Sequence, residues 1–361
     1  MLTRLPSSTH EELYRVEDRE SGLRGFIGLH STRLGPAAGG LRMRVYDSDD
    51  AALTDVLNLS RGMSYKSAAA GLPLGGGKAV IIGDPATRKT PELLRAMGRA
   101  IDRLEGRYWT AEDMGMSPGD MAEIARETRY VAGRDQGDHA SGDPSPVTAR
   151  GVCDAMQAGA MRLWGKADLA GRVVGVQGLG HVGWHVCQRL HKTGARLVVA
   201  DMDEGRVARA VTAFGAVAVA TRDIHAAEVD ILAPCAIGGV LNPQSVPEIR
   251  APMICGAANN QLASPGDAAA LVARGILYLP DYVANGGGII NVAAEILHIA
   301  ERDSWVEDRL SAMQANMARI LALAHGEGVS PAVIADRMVE EKLLPKPGLS
   351  ATPRVSKMAL S

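Results

Sequence analysis

Two lysines flank a run of three glycines and provide the first candidates for chemistry in this sequence. Lys66 and Lys78 lie twelve residues apart, and Gly75, Gly76 and Gly77 directly precede Lys78. Glycines lack Cβ atoms, so a ligand can lie on their backbone, while the apolar residues after Lys78 reduce its hydration. A partly desolvated lysine near a second positive charge has a lowered pKa. We therefore expect Lys78 to act as a base.

Two other interpretations of this segment start from the glycines. A phosphate-binding loop requires a glycine five residues before the Gly of Gly-Lys and a Ser or Thr after the lysine. The chain has Leu72 and Ala79 at these positions, which excludes that motif. A glycine turn followed by an ordinary surface lysine stays open on this fragment alone.

A second glycine pair and a carboxylate pair add to the candidate chemistry. Gly39 and Gly40 stand beside Arg42, an arrangement that exposes backbone amides to an anion or simply forms a turn. Glu112 and Asp113 end a predicted strand that begins at residue 108. Such a pair either caps the next helix or faces solvent, or Asp113 faces a cleft.

The strongest local motif is a complete G-x-G-x-x-G at residues 178–183. A predicted strand over 171–177 leads into it, a helix follows, and a second strand ends at Asp201. This unit predicts dinucleotide binding, with the Asp201 carboxylate on the ribose hydroxyls of NAD. Asp203 disfavours the 2′-phosphate of NADP, whereas Arg206 leaves an opening for it.

The elements that must position these residues follow from periodicity. Residues 12–18 and 23–31 are predicted strands, and 48–70 form a helix that carries Lys66 near its end. Further strands near 229–232, 253–255 and 277–279 predict a doubly wound parallel sheet, whose carboxyl ends line the cofactor. The polar segment 133–146 has the composition of a hinge.

Size favours two domains with a cleft between them, and the alternation of strands and helices places the chain in the α/β class. We expect residues 1–143 to form the substrate domain, completed by helices within 330–361, and 144–329 the dinucleotide domain. The 361 residues carry a net charge of −2 with no long run of like charge, which argues against nucleic acid or a membrane surface as partner. No apolar window predicts a membrane span or signal peptide, so we expect a cytoplasmic protein. The four cysteines have no metal-binding spacing and are expected to be reduced, and no metal site is predicted.

Several segments together resemble the glutamate, leucine, phenylalanine and valine dehydrogenase superfamily, and most closely its leucine dehydrogenase branch. The resemblance covers nearly the whole chain, through Gly-Pro-Ala-Ala-Gly-Gly-Leu-Arg-Met, Gly-Met-Ser-Tyr-Lys, Gly-Gly-Gly-Lys, Thr-Ala-Glu-Asp, the 178–183 motif, Ala-Pro-Cys-Ala, Gly-Ala-Ala-Asn-Asn-Gln and Pro-Asp-Tyr-Val. It implies reversible oxidative deamination of an L-amino acid to its 2-oxo acid and ammonium, with NAD as cofactor, in a homo-oligomer.

The resemblance also implies residue roles. Lys66 would hold the substrate carboxylate with the help of Gly39 and Gly40, Lys78 would activate water, and Asp113 would move protons to and from the amino nitrogen. The implied cofactor site consists of Arg42, Thr148, Gly178, Leu179, Gly180, His181, Val182, Gly183, Asp201, Met202, Arg206, Cys235, Ala236, Ala258, Asn259, Asn260 and Asn285.

The side-chain pocket implied by the resemblance is apolar and comprises Ala38, Ala111, Ile289 and Val292. Glutamate-specific members carry a lysine in place of Ala38 and a serine in place of Val292, so glutamate is excluded as the expected substrate. The segment 111–113 differs from the Gly-Pro-Asp common in phenylalanine dehydrogenases and favours an aliphatic substrate. Ala38 is smaller than the leucine usual in leucine dehydrogenases, which keeps phenylalanine or tryptophan as the alternative. A non-catalytic NAD-binding regulator is the alternative outside the enzymes.

Overall fold

The structure, a computed structural model, describes residues 2–134 and 139–343. Its first part is a seven-stranded sheet with three helices. The strands are β1 Leu2–Leu5, β2 Glu12–Asp18, β3 Leu23–Ser31, β4 Ala37–Ala38, β5 Leu41–Arg44, β6 Gly75–Ile82 and β7 Tyr108–Trp109. The helices are α1 Asp49–Ala69, α2 Pro91–Asp102 and α3 Pro118–Ile124.

The second part is a six-stranded parallel sheet surrounded by helices. Its strands are β8 Val173–Gln177, β9 Arg196–Ala200, β10 Val217–Ala218, β11 Ile231–Pro234, β12 Met253–Ile254 and β13 Leu277–Tyr278. The helices are α4 Ser145–Trp164, α5 His181–Lys192, α6 Glu204–Phe214, α7 Pro265–Ala273, α8 Asp281–Ala284, α9 Gly287–Ile296, α10 Arg302–Glu327 and α11 Pro331–Leu343.

Strand order separates the two sheets clearly. The first runs β1-β2-β3-β6-β4-β7, with β5 also paired to β6; β3 is antiparallel to β6, while β4 and β5 are parallel to it. The second runs β10-β9-β8-β11-β12-β13 with every pair parallel. This order reverses direction between β8 and β11, so the predicted doubly wound sheet is confirmed, and its crevice opens beyond the carboxyl ends of these strands.

The glycine run is the first part of β6, and protein atoms fill the space beside it. A Cβ on Gly75 would lie 2.0 Å from the Ser31 carbonyl oxygen, and one on Gly76 would lie 2.0 Å from the Ser64 backbone nitrogen in α1. All three glycines are buried. The expectation that a ligand lies on this backbone is therefore wrong. The glycines instead let α1 pack directly on β6.

Local signals fix both ends of α1. The Ser48 side chain accepts a hydrogen bond from the Ala51 amide, and Asp49 and Asp50 lie in the first turn, where the helix dipole favours negative charge. The helix then runs to Ala69, within one residue of the predicted end. It carries Lys66 in its last turn, toward the second sheet.

Helices α10 and α11 pack between the two parts of the chain. Ile334, Ala335 and Val339 of α11 share one apolar cluster with Tyr65 of α1 and with residues of the second sheet. The predicted boundary at residue 143 and the assignment of the C-terminal helices to the substrate domain stay predictions. Residues 344–361 of that assignment lie outside the described residues. Among the described helices, none has the length and apolar character needed to cross a bilayer.

The packing of α1 on the glycine run leads to a stability prediction. We expect Gly76→Ala to lower the free energy of unfolding by about 3 kcal/mol or more, because the new methyl group meets backbone of α1 that cannot move independently. Gly62→Ala is the matched control, since Gly62 lies within α1 with nothing within 4 Å of its Cβ position. That change should be neutral or stabilise by about 0.5–1 kcal/mol. Urea unfolding of both variants measures the difference, and equal midpoints would contradict this packing role.

Candidate active site

The two predicted catalytic residues form an ion pair at the floor of the cleft. Lys78 Nζ lies 2.7 Å from Asp113 Oδ2, and the lysine side chain is only 7% exposed. Lys78 comes from β6, whereas Asp113 follows β7 on the other side of β4. The sheet therefore brings the predicted base and carboxylate into direct contact, and Asp113 faces the cleft. The expectation that Lys78 acts in its neutral form stays a prediction.

Two cations determine the charge of Asp113. Burial alone would raise the pKa of this carboxyl, but Lys78 and Arg42 more than offset burial and lower the pKa to about 2. Arg42 Nε lies 3.1 Å from the same Oδ2. Asp113 is consequently ionised at neutral pH.

Arg42 does not occupy the position predicted for it. Its guanidinium contacts Asp113 through Nε and Asp55 through a terminal nitrogen, 3.1 Å from Asp55 Oδ2, and the side chain is 14% exposed. Tyr46 donates its hydroxyl to the same Asp55 oxygen at 2.7 Å. Both contacts are with carboxylates of the first domain, so Arg42 supports Asp113, and its assignment to the cofactor site stays a prediction.

Lys66 reaches across the cleft to the second domain. Its Nζ donates to Asn259 Oδ1 at 2.7 Å, and Asn285 Nδ2 donates to the same oxygen at 2.9 Å. Burial lowers the pKa of Lys66 to about 8, opposed by the charge of Asp281 and assisted by that of Lys78. Lys66 and Asn285 thus donate to the same oxygen atom. Lys66 is the residue predicted to hold the substrate carboxylate.

Gly39 and Gly40 lie beside Asp113. The Gly39 amide donates to the Trp109 carbonyl at 3.1 Å, and the Gly39 carbonyl accepts from the Tyr108 hydroxyl at 2.8 Å. A Cβ on Gly40 would lie 2.8 Å from Asp113 Cβ. The Gly39 amide is therefore committed to the sheet, which corrects its predicted role toward a carboxylate and leaves Gly40 as the candidate.

The four predicted pocket residues lie in one apolar cluster between the domains. Ala38, Ile289 and Val292 are buried in it, and Ala111 packs against it partly exposed. Leu74 and Trp109 belong to the same cluster, although the sequence reasoning did not select them. All four predicted residues are apolar.

The glycine motif forms the expected turn between β8 and α5. Gly178 has φ +98°, and a Cβ there would lie 2.7 Å from Ala236 Cβ. A Cβ on Gly183 would lie 2.0 Å from the Gly178 carbonyl oxygen, whereas one on Gly180 would meet nothing within 4 Å. His181 and Val182 are the first residues of α5. The helix N-terminus therefore opens toward free space, as anion binding requires.

Asp201 lies at the end of β9, beside this turn. Its two oxygens accept from the backbone amides of Leu179 at 2.6 Å and Asp203 at 2.8 Å. Met202 is 92% exposed, and Arg206 Nε pairs with Asp203 at 3.4 Å. The two amide bonds fix the Asp201 carboxylate at the rim of the turn.

The remaining predicted cofactor residues surround the carboxyl ends of the second sheet. Thr148 is buried in α4 and donates its hydroxyl to the Pro144 carbonyl at 2.9 Å. The amides of Cys235 and Ala258 bond to the Gln177 and Pro234 carbonyls at 2.7 and 2.9 Å. Asn260 has φ +53° and accepts from the Gly239 amide at 2.8 Å through its carbonyl. These bonds fix the loops on which the residues lie.

Two buried acceptors in this crevice have no hydrogen-bond partner among the described residues. They are Gln177 Oε1, just before the glycine turn, and Asn285 Oδ1, beside Asn259. A buried amide oxygen without a partner is costly, and a polar ligand offsets that cost. Together with the open space at Gly180, these oxygens fit a dinucleotide lying across the crevice.

Three polar residues of the site were not assigned a role from the sequence, although Asp281 lies in the Pro-Asp-Tyr-Val segment. Asp55 binds Arg42, and Tyr46 donates to Asp55. Asp281 is a buried carboxylate that contributes to the charge around Lys66. Among the described residues there is no group of three or more His, Cys, Asp or Glu that could hold a metal ion.

Comparison with known proteins agrees with this geometry. The family described as Glu/Leu/Phe/Val dehydrogenase, dimerisation domain, matches residues 10–130, and Glutamate/Leucine/Phenylalanine/Valine dehydrogenase matches residues 201–333. Leucine dehydrogenase from Geobacillus stearothermophilus is 47% identical over 334 residues, 92% of this chain and 90% of that protein. Valine dehydrogenase from Streptomyces coelicolor is 48% identical over 338 residues, 92% of each chain.

Solved structures give the same result. L-tryptophan dehydrogenase from Nostoc punctiforme has a TM-score of 0.78 at 38% identity, with 93% of this chain and 96% of that chain covered. A hetero-hexameric glutamate dehydrogenase from Thermus thermophilus, at 24% identity and a TM-score of 0.76, covers 95% of this chain and 88% of its own and shows the fold alone. The chain thus belongs to the Glu/Leu/Phe/Val dehydrogenase family and is an amino acid dehydrogenase.

Proposed function

We propose that the enzyme is an NAD-dependent L-amino acid dehydrogenase for aliphatic side chains such as leucine, valine and isoleucine. The observation that carries this proposal is the contact of Lys66 and Lys78 with Asn259 and Asp113 beside an uncharged pocket. The reaction is the reversible conversion of the amino acid to its 2-oxo acid and ammonium. The leucine and valine dehydrogenase relatives support the aliphatic choice.

Lys66 is the proposed ligand of the substrate carboxylate. Lys66 and Asn285 both donate to Asn259 Oδ1. A substrate carboxylate oxygen that takes the place of this atom would receive both hydrogen bonds. The Gly40 amide is close to Asp113 and is the proposed further donor. Because a charged donor strengthens such a bond, Lys66 contributes most of the orientation.

Lys78 and Asp113 are the proposed proton-transfer groups. The chemistry that NAD supplies when bound is acceptance of a hydride from the substrate α-carbon. The nitrogen then carries positive charge, which the ionised Asp113 offsets. Lys78, once it has passed its proton to water, takes a proton from the water that attacks the imine carbon.

The uncharged pocket sets the substrate class. A γ-carboxylate placed among Ala38, Ile289 and Val292 would be buried without a partner, at a cost of several kcal/mol. One methylene changes binding by only about 1–3 kcal/mol, so discrimination among aliphatic substrates should be modest. The tryptophan dehydrogenase neighbour and the small Ala38 favour an aromatic substrate as the second candidate.

The proposed NAD site comprises the 178–183 turn, Asp201, Gln177 and the loops after β11 and β12. Asp201 is positioned to accept from ribose hydroxyls, and the negative charges of Asp201 and Asp203 oppose a 2′-phosphate. We further propose a cytoplasmic homo-oligomer. The first domain matches a family segment described as a dimerisation domain.

The assay that tests this function is oxidation of NADH with ammonium and 4-methyl-2-oxopentanoate. We expect turnover with this substrate and with 3-methyl-2-oxobutanoate, none with 2-oxoglutarate, and a kcat/KM for NADPH lower by roughly tenfold or more. A higher kcat/KM with phenylpyruvate or indolepyruvate would replace the aliphatic assignment with the aromatic one. Lack of turnover with every 2-oxo acid, with NADH still bound, would identify a regulator.

The lowered pKa of Lys66 predicts how carboxylate binding depends on pH. The charged form holds the carboxylate, so binding is complete below about pH 8 and is lost as the pH rises through that value. The inhibition constant of 4-methylpentanoate against the 2-oxo acid should be constant below pH 8 and rise about tenfold per unit above it. Lys66→Arg should extend the constant range, and Lys89→Arg, a lysine paired with Asp120, should not. A constant value up to pH 10 in the unmodified enzyme would contradict the role of Lys66.

A further inference from the structure

Two tyrosines from different domains meet next to the active site, and each binds a carboxylate on α11. Tyr65 donates its hydroxyl to Glu340 Oε1 at 2.7 Å, and Tyr282 donates to Asp336 Oδ1 at 2.7 Å. Their rings pack edge to face, with centroids 5.9 Å apart at 87°. One helix thus holds a side chain of α1 and a side chain of α8 together.

The sequence neighbours of these tyrosines are residues of the site. Tyr65 directly precedes Lys66 on α1, and Tyr282 directly follows Asp281 on α8, three residues before Asn285. A shift of either tyrosine therefore moves the backbone that carries Lys66 or Asn285. Those two residues converge on the same Asn259 oxygen.

Helix α11 is built for two simultaneous contacts. Asp336 and Glu340 are four residues apart, so they lie on the same helix face one turn apart. Lys342 of the same helix donates to the Ala68 carbonyl at 2.7 Å, at the C-terminal end of α1. Asn316 of α10 donates to the neighbouring Ala69 carbonyl at 3.0 Å. The last turn of α1 is consequently attached to α10 and α11.

The tyrosine hydroxyls need these acceptors. Tyr65 is 7% exposed, and burial together with its bond to Glu340 raises the pKa of its hydroxyl to about 12. Arg61 stacks on the Tyr65 ring at 4.4 Å and donates to the hydroxyl at 2.6 Å. Burial also raises the pKa of Tyr282. Both hydroxyls therefore stay protonated donors throughout the working range of the enzyme.

We propose that Asp336 and Glu340 are positioning residues that, through Tyr282 and Tyr65, hold the cleft at the width at which Lys66 and Asn285 reach one oxygen atom. The proposal concerns the two domains in their closed arrangement, and its kinetic readout rests on the proposed function. Neither carboxylate touches the substrate or the reacting atoms.

Loss of one hydroxyl should affect substrate binding more than chemistry. Tyr282→Phe removes one hydrogen bond to a carboxylate from the closed arrangement, so the closed fraction of the enzyme falls about three- to tenfold. The KM for the 2-oxo acid rises by this factor, while kcat at saturation changes less than twofold. Tyr65→Phe should raise the KM for the 2-oxo acid by a similar factor and change kcat less than twofold. In Tyr65→Phe the NADH affinity stays the same, because Tyr65 lies on α1 of the first domain and the proposed nucleotide site lies in the second.

Tyr14→Phe is the matched control. Tyr14 is a buried tyrosine that donates to Glu12 at 2.8 Å within the first sheet alone, and the substitution removes the same kind of bond without touching the cleft. Its KM should equal that of the unmodified enzyme. Asp336→Asn keeps an acceptor for the Tyr282 hydroxyl and should retain most of the affinity that Asp336→Ala loses. The KM of the double variant Tyr282→Phe with Asp336→Ala should not exceed the higher of the two single-variant KM values.

Unchanged KM in both Tyr282→Phe and Tyr65→Phe would overturn the proposal, and so would an equal rise in Tyr14→Phe. Small-angle X-ray scattering provides a readout that does not depend on activity. The double variant that carries both Tyr65→Phe and Tyr282→Phe should have a larger radius of gyration than the unmodified enzyme, with both proteins saturated with NADH. If no 2-oxo acid is turned over but this increase is seen, the proposed function fails and the positioning role stands; equal radii contradict the role in either case.

Discussion

The close packing of α1 on the glycine run of β6 is the contact on which the active site depends. A Cβ on Gly76 would lie 2.0 Å from the Ser64 backbone nitrogen, so any other residue would push the helix away from the sheet. Lys66 lies two residues beyond Ser64 on that helix, and Lys78 lies two residues beyond Gly76 on that strand. The same contact therefore fixes Lys66, the proposed ligand of the substrate carboxylate, relative to Lys78, the proposed proton-transfer group.

Placing two lysines so close together would be unfavourable without compensating charge. Asp113 lies 2.7 Å from Lys78 and is held by Arg42, and Asp281 offsets the charge of Lys66 from the second domain. Burial and repulsion then leave Lys66 with a pKa of about 8, still cationic at neutral pH. In the proposed mechanism, Lys66 is the cation for a carboxylate and Asp113 is the anion for a developing iminium, beside the apolar cluster of Ala38, Ile289 and Val292.

Local sequence signals predict much of this arrangement, but they do not predict its long-range contacts. Strands 12–18 and 23–31 and helix α1 follow from periodicity and capping, and the 178–183 turn follows from glycine positions. The partners of Arg42 could not be predicted, because Asp113 lies 71 residues away and the contact depends on how β5 and β7 stand beside their neighbours. The space beside the glycine run could not be predicted for the same reason, since Ser64 and Tyr108 fill it from distant segments.

The kinetics of Lys78→Ala test the central assignment most directly. In the proposed mechanism Lys78 moves protons but binds neither nucleotide nor substrate carboxylate, so the variant should bind NADH and 4-methylpentanoate with unchanged affinity. Its kcat for ammonium-dependent reduction of 4-methyl-2-oxopentanoate should fall by roughly 10²-fold or more. Turnover close to that of the unmodified enzyme would remove Lys78 from the mechanism and contradict the account of the site.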